Sequence, residues 1–179
     1  DMLIDGYFEG YQHGSTTGSY GSICDVVNRN IEISGEFTST DPNGTNFSAD
    51  FHGNTEYCKY SGVFNDGILA RGNHNKYRGL CRALSKGGNV LLDELSGYDH
   101  DFSGMKFFGI EDPLTGFNNR GAIDLNGNSN DGDMFAISGG EISLKDAVFD
   151  NVNCKRVINL IKKNTQNSDI NLTGFKIVN

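Results

Sequence analysis

Apolar residues recur along this chain in pairs two positions apart, and each pair runs into a Ser or Asp, a Gly, one further residue and a Phe. The unit reads Met2-Leu3-Ile4-Asp5-Gly6-Tyr7-Phe8, then Ile31-Glu32-Ile33-Ser34-Gly35-Glu36-Phe37, then Cys58-Lys59-Tyr60-Ser61-Gly62-Val63-Phe64. Alternation with a period of two marks a strand with one buried face. Gly6, Gly35 and Gly62 recur at a nearly constant interval, which fits one coil of a solenoid and is too short for a domain. Each unit is therefore expected to form a short strand that its glycine ends at a sharp corner.

Weaker echoes keep the alternating pair and the glycine. They are Ile68-Leu69-Ala70-Arg71-Gly72, His100-Asp101-Phe102-Ser103-Gly104, Ile123-Asp124-Leu125-Asn126-Gly127, Phe135-Ala136-Ile137-Ser138-Gly139 and Ile170-Asn171-Leu172-Thr173-Gly174. Polar, turn-forming stretches at 10–21 and 38–45 separate the early units, and each leads into a second short apolar run, Ile23 to Val27 and Phe47 to Phe51. Residues 68–92 break the period, since the next clear repeat glycine is Gly104. Within them, Lys76 to Ser85 reads as a short helix or as a strand. The Val157 to Lys163 segment also admits a helix.

Composition adds bounds to this pattern. The chain has 179 residues, enough for one domain with a real core or about six or seven coils, and its 24 Gly and 2 Pro suit a β-rich chain with tight corners. The net charge of −8 argues against nucleic acid as partner, and no run approaches the ~20 apolar residues of a membrane helix. The opening at Asp1 reads as an excised piece of something longer. Cys24, Cys58, Cys81 and Cys154 lack CxxC spacing, so free thiols are expected, with Cys58 a small buried apolar residue of the repeat. The Asn126 to Asp133 turn lacks a complete calcium loop with its terminal Glu, so neither metal nor cofactor is expected.

Short strands, glycine corners, Asn-rich turns and a near-constant repeat interval resemble the right-handed, single-stranded parallel β-helix of the pectin-lyase-like superfamily. The resemblance covers residues 1–179 as one all-β domain. The texture is most similar to phage tailspike and appendage proteins that bind or cleave surface polysaccharide. It implies an extracellular or virion-borne protein, a homotrimeric state and a polysaccharide partner, with lyase or hydrolase activity as the first reading, a non-catalytic glycan-binding or structural segment of a tail fibre, spike or adhesin as its rival, and an adhesin-type solenoid with a protein partner as a third. Stacked parallel strands offer a long flat face on which residues one period apart become neighbours, which suits a linear glycan.

Aligning the repeat makes a first site proposal. Asp25, His52 and Glu94 each lie six residues before a repeat start, which puts Asp25 beside His52, with Glu94 further along the same column, as an acid–base set; Asp50 shares a strand face with His52 and would orient it. A second proposal rests on charge. From Arg71 to Lys86 the sequence carries five basic residues and no acidic one, against the acidic whole. Arg71, Lys76, Arg78 and Arg82 are expected to bind carboxylates or phosphates of an anionic polymer, while His74, Tyr60 or Tyr77 removes the proton beside a uronate. Carboxyl pairs suited to hydrolysis include Asp93/Glu94 and Asp99/Asp101.

Overall fold

The computed structural model of the chain describes residues 2–10, 19–24, 29–39, 46–51, 55–65, 67–82, 90–108, 122–123, 129–130, 133–137, 140–150, 156–160 and 168–178. These residues form strands and no helix. In order they are β1 (Met2–Gly10), β2 (Ser19–Cys24), β3 (Ile31–Ser39), β4 (Asn46–Phe51), β5 (Lys59–Phe64), β6 (Gly67–Asn73), β7 (Lys76–Arg82), β8 (Val90–Tyr98) and β9 (His100–Asp101). Then come β10 (Lys106–Phe108), β11 (Ala122–Ile123), β12 (Ser129–Asn130), β13 (Asp133–Ile137), β14 (Gly140–Ser143), β15 (Val148–Asp150), β16 (Arg156–Leu160), β17 (Ser168–Asn171) and β18 (Lys176–Val178).

From β1 to β9 the chain passes alternately between two sheets. One has ten strands and runs β1-β3-β5-β7-β10-β15-β18, with β9, β14 and β17 alongside; the other runs β2-β4-β6-β8-β13-β16. Every pairing within them is parallel, and the small β11–β12 pair is antiparallel. This arrangement is consistent with a solenoid.

The repeat glycines line up as their spacing requires. Gly6 pairs with Gly35, Gly35 with Gly62 and Gly62 with Gly79, and the last of these passes is much the shortest. The described strands of this region therefore carry the two sheets onward instead of interrupting them: β6 extends the second sheet and β7 the first, and Lys76–Arg82 is strand, not helix, while residues 83–85 lie outside the described residues. Of the Val157 to Lys163 segment, Val157–Leu160 is likewise strand, because Ile158 and Leu160 pair with Phe135 and Ile137 of β13, and residues 161–163 lie outside the described residues.

The glycines are not the corners that the sequence suggested. Gly35, Gly62 and Gly79 sit inside strands with φ of 137°, 132° and 114°. A Cβ on Gly35 would stand 1.7 Å from the Gly6 carbonyl oxygen, one on Gly62 1.9 Å from that of Gly35, and one on Gly79 2.0 Å from that of Gly62. Backbone contact in a φ region closed to L side chains thus demands glycine here. The true corners lie just ahead of the strands, at Asn30, Tyr57, His74 and Asp99, all left-handed with φ between 55° and 57°.

Further along, the kinked strand gives way to strand, turn, strand. His100-Asp101-Phe102-Ser103-Gly104-Met105-Lys106-Phe107, Ile142 to Phe149 and Ile170 to Ile177 share this form, and Gly104, Asp146 and Gly174 hold its positive-φ position. The Met105, Ala147 and Phe175 N–H groups close the turns by donating to the carbonyls of Phe102, Leu144 and Leu172. The echoes at Gly104 and Gly174 thus belong to the first sheet, whereas Ile68–Gly72 and Phe135–Ile137 belong to the second.

Inward side chains stack in columns between the sheets. Phe8, Phe37, Phe64, Cys81, Phe107, Phe149 and Ile177 form one, with ring centroids 5.0 Å apart for Phe8/Phe37, 5.1 Å for Phe37/Phe64 and 4.7 Å for Phe107/Phe149. Each stacked pair contributes roughly 0.5–1.5 kcal/mol beyond its area. Cys58 is a small buried residue of this core, as expected of it, Cys81 is buried as well, and neither is in a disulfide.

Candidate functional site

The left-handed corner imposes an exposed column. Its residues follow one another down the sheet, and their backbones bond from pass to pass: Asn30 N–H donates to the Glu56 carbonyl at 3.4 Å, and Tyr57 N–H to that of Asn73 at 3.2 Å. Asn tolerates this conformation, because its short polar side chain satisfies local groups. Tyr and His do so at a cost of about 1–2 kcal/mol each. The chain nevertheless places an aromatic ring and an imidazole there.

Those two rings lie face to face. The Tyr57 and His74 centroids are 4.7 Å apart with planes inclined by 8°, and Tyr57 is 57% exposed. His74 Nδ1 lies 2.8 Å from Asp99 Oδ2, the next corner residue. A carboxylate on Nδ1 fixes the tautomer and leaves Nε2 as the proton acceptor. Tyr57 packs on one face of the ring and limits its rotation.

Beside the corner runs an outward column of strand residues in continuous register: Leu3, Glu32, Lys59, Lys76, Asp101, Ser143 and Asn171. At the usual strand spacing it extends about 29 Å. Most of its charges are matched. Lys59 Nζ is 2.6 Å from Glu32 Oε1, Arg29 bonds Glu56 at 2.8 Å, and Arg78 bonds both the carboxylate and the carbonyl of Asp101. Lys76 is exposed, and no ion pair engages its ammonium among the described residues. A groove of about 590 Å³ follows this face, walled by Asn30, Glu32, Tyr57, Lys59, His74 and Lys76. A smaller cavity of about 240 Å³ continues it past Asp99 and Asp101 to Ser143, Asp169 and Asn171.

Two groups along this line have displaced protonation equilibria. Asp101 is partly buried, which alone would raise its pKa, but hydrogen bonds from Arg78 and from the Ser103 hydroxyl and N–H hold it below the usual carboxylate range. His100 is inward, in register between Asn75 and Ile142, with Tyr77 and Phe102 nearby. Burial, with a smaller Coulombic contribution from His74, lowers its pKa to about 3, and neither ring nitrogen has a hydrogen-bond partner among the described residues. It is a neutral core residue.

The residues proposed from sequence fall in several places. His52 and Asp25 lie outside the described residues; the β2–β4 register, last seen at Cys24 opposite Phe51, stops one position short of them. Asp50 lies in β4 opposite Ile23 and Leu69. Glu94 falls where β8 carries three more residues than β6 between their matched positions Leu92/Ala70 and Gly97/Gly72, so no ladder pair includes it. Arg71 sits at the same irregularity, between Ala70 and Gly72 of β6.

His74 and Lys76 come together with the groove. Arg78 is committed to Asp101, and Arg82 donates to Asn65 Oδ1 at 2.7 Å, whose amide in turn donates to Glu36 at 2.7 Å. Tyr60 and Tyr77 are corrections: both are fully buried, because each stands at an inward position of its strand. Their rings, 6.3 Å apart, belong to the core and not to a substrate surface. Of the carboxyl pair Asp99/Asp101, one member serves His74 and the other Arg78. Tyr57 escaped sequence reasoning, although it stands one repeat after Asn30, just before a repeat start.

Among the described residues no group of three or more His, Cys, Asp or Glu side chains is placed to hold a metal ion. No protein-family model matches this sequence, and comparison with curated proteins and with solved structures returns no match.

Proposed function

We propose that the protein is a right-handed parallel β-helix that holds a linear polysaccharide along the corner groove, and that His74 cleaves it. The observation that carries this reading is the Tyr57–His74–Asp99 arrangement at strained left-handed corners. Asn or Gly at these positions would satisfy the backbone more cheaply, so the ring and the imidazole are explained by a ligand rather than by folding. An exposed tyrosine face suits a sugar ring, and the parallel register sets recognition groups at regular steps along a polymer.

In the favoured chemistry the glycan is a uronate. Lys76, two residues beyond His74, neutralises the uronate carboxylate and makes the adjacent C–H acidic. His74 Nε2 takes that proton, the C–O bond to the departing sugar breaks, and the departing oxygen is protonated by solvent. Asp99 keeps Nδ1–H oriented and stabilises the imidazolium. A surface glycan outside the cell is the corresponding substrate, in keeping with the likeness to tailspike proteins.

The test is incubation with a panel of uronate-containing and neutral polysaccharides. Elimination generates an unsaturated uronate with new ultraviolet absorbance, and His74→Gln should lose it while retaining fold and binding. Reducing ends released without that absorbance would replace elimination by hydrolysis. Binding that depends on Tyr57, with no turnover by the wild type, would leave a non-catalytic glycan-binding segment. No binding to any member of the panel would overturn the reading.

A further inference from the structure

Charge along the groove changes sign one pass beyond His74. On the His74 pass Lys76 supplies an ammonium that no ion pair engages among the described residues. The next pass brings carboxylates. Asp101 is matched by Arg78, but the partner of Asp99 is His74, which must be neutral to act as a base, so the charge of Asp99 stands. Asp169 falls at the same place in its own pass as His74 and Asp99, two residues ahead of the outward column at Asn171, and about 14 Å from His74 at the usual strand spacing. It is exposed, and no ion pair engages it among the described residues.

Asp99, Asp101 and Asp169 line the cavity of about 240 Å³ together with Ser143, Asn171 and His100. No cation stands among these residues. His100 is only 3% exposed, neither of its ring nitrogens has a partner among the described residues, and burial keeps it neutral, with a pKa of about 3. Asn171 accepts the Thr173 N–H on Oδ1 at 3.0 Å, which leaves its amide N–H groups to donate to a ligand, and the Ser143 hydroxyl shares a 2.8 Å hydrogen bond with that of Ser103. The cavity thus offers hydrogen bonds to hydroxyls within an acidic field that opposes a carboxylate.

We infer that this cavity takes an uncharged sugar, so that the substrate is a polysaccharide in which the uronate held at Lys76 is followed by a residue without a carboxylate, and not a run of consecutive uronates. The inference rests on the uronate reading of the His74 site and adds the identity of the neighbouring residue. A homopolymer would bring its next carboxylates within one to three passes of Asp99 and Asp169. Like charges at that range weaken binding by about tenfold, and salt screens the effect.

Calorimetry at low ionic strength, in the His74→Gln background so that binding is read without turnover, tests this with matched pairs of polymers. Polygalacturonate, polyglucuronate and polymannuronate are each compared with the same polymer after part of its carboxyl groups has been reduced to alcohols, which keeps linkage and length. For a pair that binds, the partly reduced polymer should bind about tenfold more tightly than its parent, although it carries less charge for Lys76 to attract. Added salt should narrow that gap, and Asp169→Lys, a change at an exposed side chain, should close or reverse it. Parent polymers that bind as tightly as their reduced forms overturn this inference alone, as does a gap that neither salt nor Asp169→Lys alters. Failure of every pair to bind overturns the uronate reading itself, and this inference with it.

Discussion

His100 makes the stability of this protein depend on acidity in a calculable way. In the unfolded chain a histidine titrates near 6.5, whereas the folded pKa is about 3, so below 6.5 the unfolded state binds a proton that the folded state refuses. Stability tied to this group is intact at neutral pH, begins to fall as the pH drops through 6.5 and is lost at about 1.4 kcal/mol per pH unit until the folded pKa is reached. At about pH 5 the loss amounts to about 2 kcal/mol, which for a chain of this size lowers the Tm by roughly 4–8 °C. Asp101 does not confuse the window: its folded pKa is depressed, so its contribution is intact above the ordinary carboxylate range and disappears only below it.

The assay is urea unfolding of wild type and His100→Leu at about pH 7 and pH 5. The wild type should lose about 2 kcal/mol between them, and the variant should lose almost none of it. At neutral pH the variant should be no less stable, since it removes two buried ring nitrogens that lack partners and fills a similar volume. Equal acid losses in the two proteins, or a wild type indifferent to this interval, would refute the burial argument.

Three further outcomes follow from the geometry. Gly35→Ala should cost more than about 3 kcal/mol, because its Cβ meets the Gly6 carbonyl oxygen in a forbidden φ region, whereas Gly104→Ala, with φ of 71° and no atom within 4 Å, should cost about 1–2 kcal/mol; chemical denaturation distinguishes them. Tyr57→Asn should leave stability unchanged or raise it by up to about 1 kcal/mol, by relieving the left-handed corner, while weakening polysaccharide binding at least about tenfold in calorimetry; unaffected binding would remove Tyr57 from the site. Arg78→Met should raise the Asp101 pKa, seen by NMR titration, and cost about 1–3 kcal/mol, since it strips a partly buried carboxylate of its main donor.

The glycine repeat made the parallel register legible, because a period-two apolar pair with glycine at fixed spacing has few other solutions. The role of those glycines was not legible. Gly35 is required by the Gly6 carbonyl, a full pass away along the chain, and only pairing of the strands creates that contact. The pass from Gly62 to Gly79 was hidden by its brevity beside the two before it. Tyr60 and Tyr77 were misplaced outward because tyrosine chemistry suggests a surface, whereas alternation within their strands turns them inward. At the site, His74 and Lys76 stood out by charge, but their partners did not. Asp99 meets His74 from one pass further on, and Tyr57 looked like an ordinary residue ahead of a strand until the corner conformation made it a ring on the surface.

The mid-strand glycines also make this architecture a ruler graduated in whole passes. Excising the segment from Gly35 to Ser61 would bring Gly62 directly against Gly6, with Phe64 against Phe8, so a shortened molecule keeps every ridge and hollow in step. A cut that is not a whole pass throws the gauge out of alignment, and the reach of the surface can be trimmed or extended only by such quanta.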